Sequence, residues 1–153
     1  MQSLLKKFLS QLKKTENWEQ KYTLIIDLGK TLPSIPQANR IQQNLVNGCQ
    51  SKVWLVSTVE PSKELEQSLI LFAGDSDGLI TKGLLAMLIY FYSNQTAKHI
   101  LTTSPTFIKD LGLPEFLTPS RVNGFANIHK KIKLEAFKKS LLHSSTCTNP
   151  PIC

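Results

Sequence analysis

Cys49 is the residue with the clearest chemical potential. It follows Asn47-Gly48 and precedes Gln50-Ser51-Lys52, directly ahead of the β-forming run Val53-Trp54-Leu55-Val56. A glycine at a turn takes positive φ without strain, so the chain can reverse and push the next side chain outward. The other cysteines, Cys147 and Cys153, lie in a Ser/Thr/Asn/Pro-rich tail. The folded body is therefore expected to carry one thiol, presented on a tight loop. A thiol so placed is either a small apolar plug or a nucleophile that acts as its thiolate, with an ordinary pKa of about 8.5. Lys52 and Arg40 flank the loop in sequence, and either cation would favour the thiolate if the fold brings it close.

Other chemistries have weaker support. A cysteine hydrolase needs a base within hydrogen-bond reach and an oxyanion hole. The candidate bases are His99, His129 and His143, and no sequence feature ties any of them to the Cys49 loop. Each reads as a solvated surface histidine. His143, Cys147 and Cys153 match no compact metal-site spacing. Asp75 and Asp77 resemble a fragment of a calcium loop, but the remaining oxygen ligands and the closing glutamate are missing. Gly74-Asp75-Ser76-Asp77-Gly78 is not a phosphate loop, since Lys82 does not directly follow a glycine.

The elements that must position Cys49 follow from periodicity and punctuation. Leu4, Leu5, Phe8, Leu9 and Leu12 have helical spacing over 3–12. Asn17 is an N-cap, with Gln20 three residues on, for a second helix that Gly29 is expected to close before Pro33 and Pro36. Ile41, Leu45 and Val46, then 53–56, then 68–73, read as a small antiparallel meander. Its first reversal is Asn47-Gly48 and its second is Glu60-Pro61-Ser62-Lys63. Ser76 or Asp77 is placed to cap a helix over Leu79–Tyr92, apolar on nearly every face and hence central. Short helices follow over 96–102 and 107–111. Thr118-Pro119-Ser120-Arg121 opens a last helix with Val122, Phe125, Ile128, Ile132, Leu134 and Phe137 as its apolar stripe. The class is α+β, a small antiparallel sheet of about three strands packed against several helices. One domain is expected over 1–142, with a disordered tail over 143–153.

The 153 residues, 41% hydrophobic and 19% charged, suit one ordinary globule. The net charge of +7 concentrates at the two ends. The last helix sets Arg121, Lys130, Lys131, Lys133, Lys138 and Lys139 against Glu135 alone, without interleaved aromatics for stacking bases. That favours a solvated face or an acidic protein partner over nucleic acid. The start lacks a signal-peptide pattern, and no run reaches the roughly 20 apolar residues that span a bilayer. Three irregularly spaced cysteines make no disulfide framework. A cytoplasmic protein, not bound to membrane, is the expectation.

Four blocks, in order, are similar to the SufE/CsdE family of sulfur acceptors. They are Trp18-Glu19-Gln20-Lys21-Tyr22 with Ile25-Ile26-Asp27-Leu28-Gly29-Lys30 and Leu32-Pro33; Gly48-Cys49-Gln50-Ser51-Lys52-Val53-Trp54; Gly74-Asp75-Ser76-Asp77 with Lys82-Gly83-Leu84; and Leu117-Thr118-Pro119-Ser120-Arg121 with Gly124. The resemblance spans most of the chain and leaves only the tail beyond about residue 142 without a counterpart. It implies a fold like that of IscU-type scaffolds and a partner role in iron–sulfur cluster assembly. The protein would accept sulfur from a pyridoxal-phosphate cysteine desulfurase of the SufS/CsdA type, stimulate that enzyme, and deliver to a SufBCD-type scaffold complex. It would carry no cofactor itself and would not be an enzyme in its own right. The acceptor maps onto Cys49, and supporting roles map onto Arg121 and Asp77. Arg121 is expected to neutralise charge near the loop and Asp77 to anchor the adjacent helix, or both serve only in capping and pairing. Weak pairing into a homodimer is the expected form of any self-association. Two other classes stay open: a module that regulates a desulfurase without carrying sulfur, and a small cysteine hydrolase.

Overall fold

The computed structural model describes residues 2–146. Helix α1 (Gln2–Lys14) buries Leu5, Phe8 and Leu12, one face of a helix. Asn17 caps α2 (Trp18–Lys30), its Oδ1 accepting from the amides of Glu19 at 2.8 Å and Gln20 at 3.4 Å. Gly29 does not close this helix. The chain stays helical through Lys30, and Thr31 is the C-cap. Gly29 instead faces another glycine, Gly83, across a helix crossing. A Cβ on Gly29 would stand 2.8 Å from the Gly83 amide nitrogen, and one on Gly83 would overlap the Ile25 carbonyl. The sequence signal at Gly29 was a spacing residue rather than a stop.

The expected strand at 41–46 does not form. Gln42–Asn44 closes a 3-10 turn, with the Leu45 amide bonding the Gln42 carbonyl. Only a single bridge remains, Leu45 to Trp54. The sheet consists of β1 (Val53–Glu60), β2 (Leu69–Ser76) and β3 (Gln95–Thr96), in the order β1-β2-β3 and antiparallel throughout. Its register runs from Val53 opposite Ser76 to Glu60 opposite Leu69, with Leu69 opposite Thr96 on the other edge. The third strand thus enters after a helix, from a segment too short to carry an alternation pattern.

That helix, α3 (Leu79–Tyr92), is the centre of the core, buried at every position from Gly83 to Tyr90. It packs on α2, β2, α1 and the last helix. Its N-cap is Gly78, which makes no side-chain cap bond, so neither Ser76 nor Asp77 caps it through its own N-cap position. Thr96 caps α4 (Ala97–Thr102), accepting from the His99 amide at 3.2 Å. Two single-turn helices follow, α5 (Phe107–Asp110) and α6 (Leu113–Phe116), joined through Gly112 at φ 65°. The second was not foreseen.

Pro119 begins α7 (Pro119–Thr146), the first-turn position that proline suits. Its buried line is Phe125, Ile128, Ile132 and Ala136. Leu134 and Phe137, expected on that stripe, are 44% and 50% exposed. At 100° per residue, a position two past Ile132 points to the opposite side of the helix. The helix continues through 143–146. The rest of the expected tail, 147–153 with Cys147 and Cys153, and the side chain of His143 lie outside the described residues. Among the described residues no helix is long and apolar enough to cross a membrane.

Candidate functional site

The Cys49 loop joins the Leu45 bridge to β1, and it is held at its base, at its exit and from α7. Gly48 has φ 81°, the left-handed turn its residue type permits. Val46 N–H donates to the Val53 carbonyl at 2.8 Å, closing the loop's base. Lys52 N–H donates to Asp77 Oδ1 at 2.9 Å, and Asp77 N–H donates back to the Lys52 carbonyl at 3.2 Å. From α7, Asn127 Nδ2 donates to the Gly48 carbonyl at 3.1 Å. Ser51 rests against Gly78, where any Cβ would collide with its hydroxyl.

The Cys49 side chain is half-buried and turned towards α7, its Sγ donating to the Gly124 carbonyl at 3.7 Å. A Cβ on Gly124 would sit in ordinary contact with that sulfur. Burial pushes the thiol pKa up, so in this conformation Cys49 is a neutral thiol. The expectation that Lys52 or Arg40 would favour the thiolate is not met. Arg40 is engaged elsewhere: it donates to Asp75 Oδ2 at 2.5 Å and stacks over Trp54 at 5.1 Å. Lys82 holds the other Asp75 oxygen at 3.1 Å. Burial alone would raise the Asp75 pKa, but the bonds from Arg40, Lys82 and the Ser76 amide outweigh it and hold the carboxylate low.

Beside the thiol lies a cavity of about 340 Å³. The Cys49 loop forms one wall. Leu79, Ile80 and Thr81 at the start of α3 form the second, and Thr118, Ser120, Arg121 and Gly124 the third. Leu79 is 63% exposed, an apolar side chain at the rim. Arg121 and Cys49 therefore share one cavity although they are far apart in sequence. Arg121 is steadied by the Tyr22 ring, 5.5 Å from its guanidinium carbon. Asp77 does not line the cavity. It clasps the Lys52 backbone, so it fixes the exit of the Cys49 loop rather than capping α3.

The histidines do not complete a hydrolase. His99 is exposed on α4. His129 is not the solvated surface residue its basic neighbours suggested. Its ring stacks on Tyr92 at 5.5 Å, with Nε2 2.8 Å from the tyrosine hydroxyl. Neither lines the Cys49 cavity. Among the described residues no three His, Cys, Asp or Glu side chains are grouped to hold a metal ion. Gly124 stands in the family-like block without a role assigned to it, and Asn127 was missed in the sequence. The signal was there, because they follow Arg121 at steps of three, which places all three on adjoining faces of one helix.

The arrangement suits sulfur chemistry of one kind. The thiol is half-buried and neutral, its loop is anchored by exposed hydrogen bonds to Asp77 and Asn127, and an arginine lines the cavity beside it.

The chain matches the family model described as "SufE: Fe-S metabolism associated domain" over residues 6–136. It is 39% identical over 140 residues to the cysteine desulfuration protein SufE of Wigglesworthia glossinidia brevipalpis, covering 89% of this chain and 93% of that one. It is 42% identical over 110 residues to the cysteine desulfuration protein SufE of Plasmodium falciparum (isolate 3D7), covering 72% of this chain and 44% of that one. An uncharacterized SufE-like protein of Rhizobium meliloti (strain 1021) is 37% identical over 122 residues, covering 79% and 86%. The fold is similar to the solution structure of a hypothetical protein from Thermus thermophilus, with a TM-score of 0.68 at 19% identity over 90% of this chain and 96% of that one.

Proposed function

The chain belongs to the SufE family, and on that premise we propose that Cys49 is the residue on which it receives sulfur. As a SufE protein it is a sulfur acceptor of iron–sulfur metabolism that works with a cysteine desulfurase, activating that enzyme rather than catalysing a reaction alone. The assignment to Cys49 is carried by one observation: its thiol sits on a glycine-turned loop and shares a cavity with Arg121.

Transfer is an exchange at sulfur. The Cys49 loop releases Gly124 and Asn127, and the exposed thiol loses its proton to solvent as burial no longer opposes ionisation. The Cys49 thiolate attacks the outer sulfur of the desulfurase persulfide. A new S–S bond forms on Cys49, the donor's S–S bond breaks, and the donor cysteine leaves as its thiolate. No net oxidation occurs. Redocking places the outer sulfur of the Cys49 persulfide beside the cavity, where the Arg121 guanidinium and the hydroxyls of Thr118, Ser120 and Thr81 offer donors to an anion. Arg121 supports the reaction by charge, and Asp77 by setting the loop's exit.

A SufS/CsdA-type enzyme is the proposed donor and a SufBCD-type scaffold complex the proposed recipient, with the exchange in the cytoplasm. Any self-association is proposed to be a weak homodimer, which a protein of net charge +7 would form against its own repulsion. The test is intact mass after incubation with desulfurase and cysteine. Wild type should gain about 32 Da, one persulfide sulfur, and Cys49→Ser should not. Desulfurase stimulation that persists undiminished in Cys49→Ser would leave a regulatory module instead.

A further inference from the structure

We propose that Tyr22 is a positioning residue for sulfur uptake: it holds the Arg121 guanidinium at the cavity wall while leaving its charge unspent. The proposal deepens the Cys49 reading and rests on it.

Arg121 lies in the first turn of α7 and lines the Cys49 cavity. A carboxylate can fix an arginine, as Asp75 fixes Arg40. Among the described residues no carboxylate lies within ion-pair distance of Arg121. Its guanidinium lies over the Tyr22 face instead. The difference is chemical. A carboxylate would fix the side chain and cancel its field. A ring face attracts a cation through its quadrupole and carries no net charge. The cation therefore keeps its full attraction for an anion entering the cavity.

Tyr22 is itself held at two sides. Its hydroxyl donates to the Phe116 carbonyl at 2.8 Å, which ties α2 to the segment that leads into α7. Its ring meets Trp18 and Phe116 edge-on, at 5.3 and 5.9 Å. Through that bond Tyr22 sets where α7 starts, and through its face it sets where the Arg121 side chain ends. The anion served is the sulfur of a thiolate or persulfide at Cys49, or a small anion in the same space.

The test compares two alkylating reagents at Cys49, anionic iodoacetate and neutral iodoacetamide, read by mass on the peptide that contains the cysteine. Their rate ratio reports the positive charge at the cavity and needs no partner protein. Arg121→Gln should lower the ratio. Tyr22→Leu should lower it by about two- to fivefold, the range a cation–π contact at a partly exposed site supports. Tyr22→Phe keeps the ring and should keep most of the ratio. Tyr22→Leu should have no further effect in an Arg121→Gln background, and sulfur uptake from a desulfurase should follow the same pattern. An unchanged ratio in Tyr22→Leu, or additive losses in the double variant, would overturn the proposal. If Tyr22→Leu does not fold, the wild-type protein decides. Arg121 side-chain proton resonances shifted upfield by the Tyr22 ring current support the proposal, and resonances at ordinary positions contradict it. Wild type that takes no sulfur on Cys49 would refute the carrier assignment alone, while the alkylation ratio would still judge Tyr22.

Discussion

A carrier thiol has two conflicting needs, and the role proposed for Cys49 assigns each to a different loop position. Docked, it is half-buried and hydrogen-bonded to the Gly124 carbonyl, with its pKa pushed up by burial. A neutral thiol is a poor nucleophile, so stray oxidants and alkylators act on it slowly. Released, as the proposal requires, the thiol would be freed of the burial that opposes ionisation and would react. Reactivity should therefore follow how often the loop opens. Cys49 should alkylate more slowly than a free cysteine at neutral pH, with a pH profile displaced to higher pH. Asp77→Ala removes the acceptor of the Lys52 amide and should speed alkylation by about three- to tenfold, the worth of one exposed hydrogen bond. Stopped-flow or mass-resolved alkylation checks both. A rate in Asp77→Ala equal to wild type would show that this bond does not restrain the loop.

At the scale of elements, the site depends on how α2, α3 and α7 are brought together behind the loop. Gly29 and Gly83 let α2 and α3 approach backbone to backbone. Gly83→Ala would drive a methyl group into the Ile25 carbonyl, which cannot move aside as a flexible side chain would. It should destabilise the protein by about 1–3 kcal/mol, as overpacking does, measurable by urea unfolding. Local chemistry explains which elements were legible in the sequence. Asn17, Thr96 and Pro119 mark helix starts because capping is settled within one turn. Asp77 carried an equally good capping signal, yet its carboxylate is taken by Lys52, a partner 25 residues away. β3 has two residues and exists only because β2 lies beside it. The Cys49 loop was legible from Asn47-Gly48 and from the family motif. Its wall was less so, because Asn127 reaches Gly48 across 79 residues and Gly124 meets Cys49 across 75. Arg121 was expected near the loop through resemblance, and the Tyr22 ring that steadies it was not expected at all.

Across the whole molecule, partly buried titrating groups shape the response to acid, His129, Asp75 and Glu135 among them. His129 is stacked on Tyr92, and burial, aided by the nearby Lys133 charge, pushes its pKa down. The unfolded chain then takes up a proton more readily than the folded one, so stability falls as pH drops below about 6.5, the unfolded histidine value. Asp75 has the opposite charge but the same consequence lower down. Its folded pKa is held low, so its contribution is complete above about 3.9, the unfolded aspartate value, and is lost as pH falls through the folded pKa. Urea midpoints should decline between pH 7.5 and pH 5.5 in wild type, and the decline should shrink in His129→Gln. Equal slopes in the two proteins would remove His129 as the cause. The net charge of +7 also bears on association. Stimulation of a desulfurase with an acidic docking face should weaken as salt is raised, through slower encounter.

Mapping the transferred sulfur gives the most direct test of the carrier assignment. After incubation with a cysteine desulfurase and cysteine, cleavage after Arg40 and Lys52 releases the segment containing Cys49, apart from the one containing Cys147 and Cys153. The account predicts a gain of about 32 Da, one persulfide sulfur, on the Cys49 segment, removable by reductant. Sulfur found on the Cys147 and Cys153 segment instead, or on neither while the desulfurase is still stimulated, would contradict it.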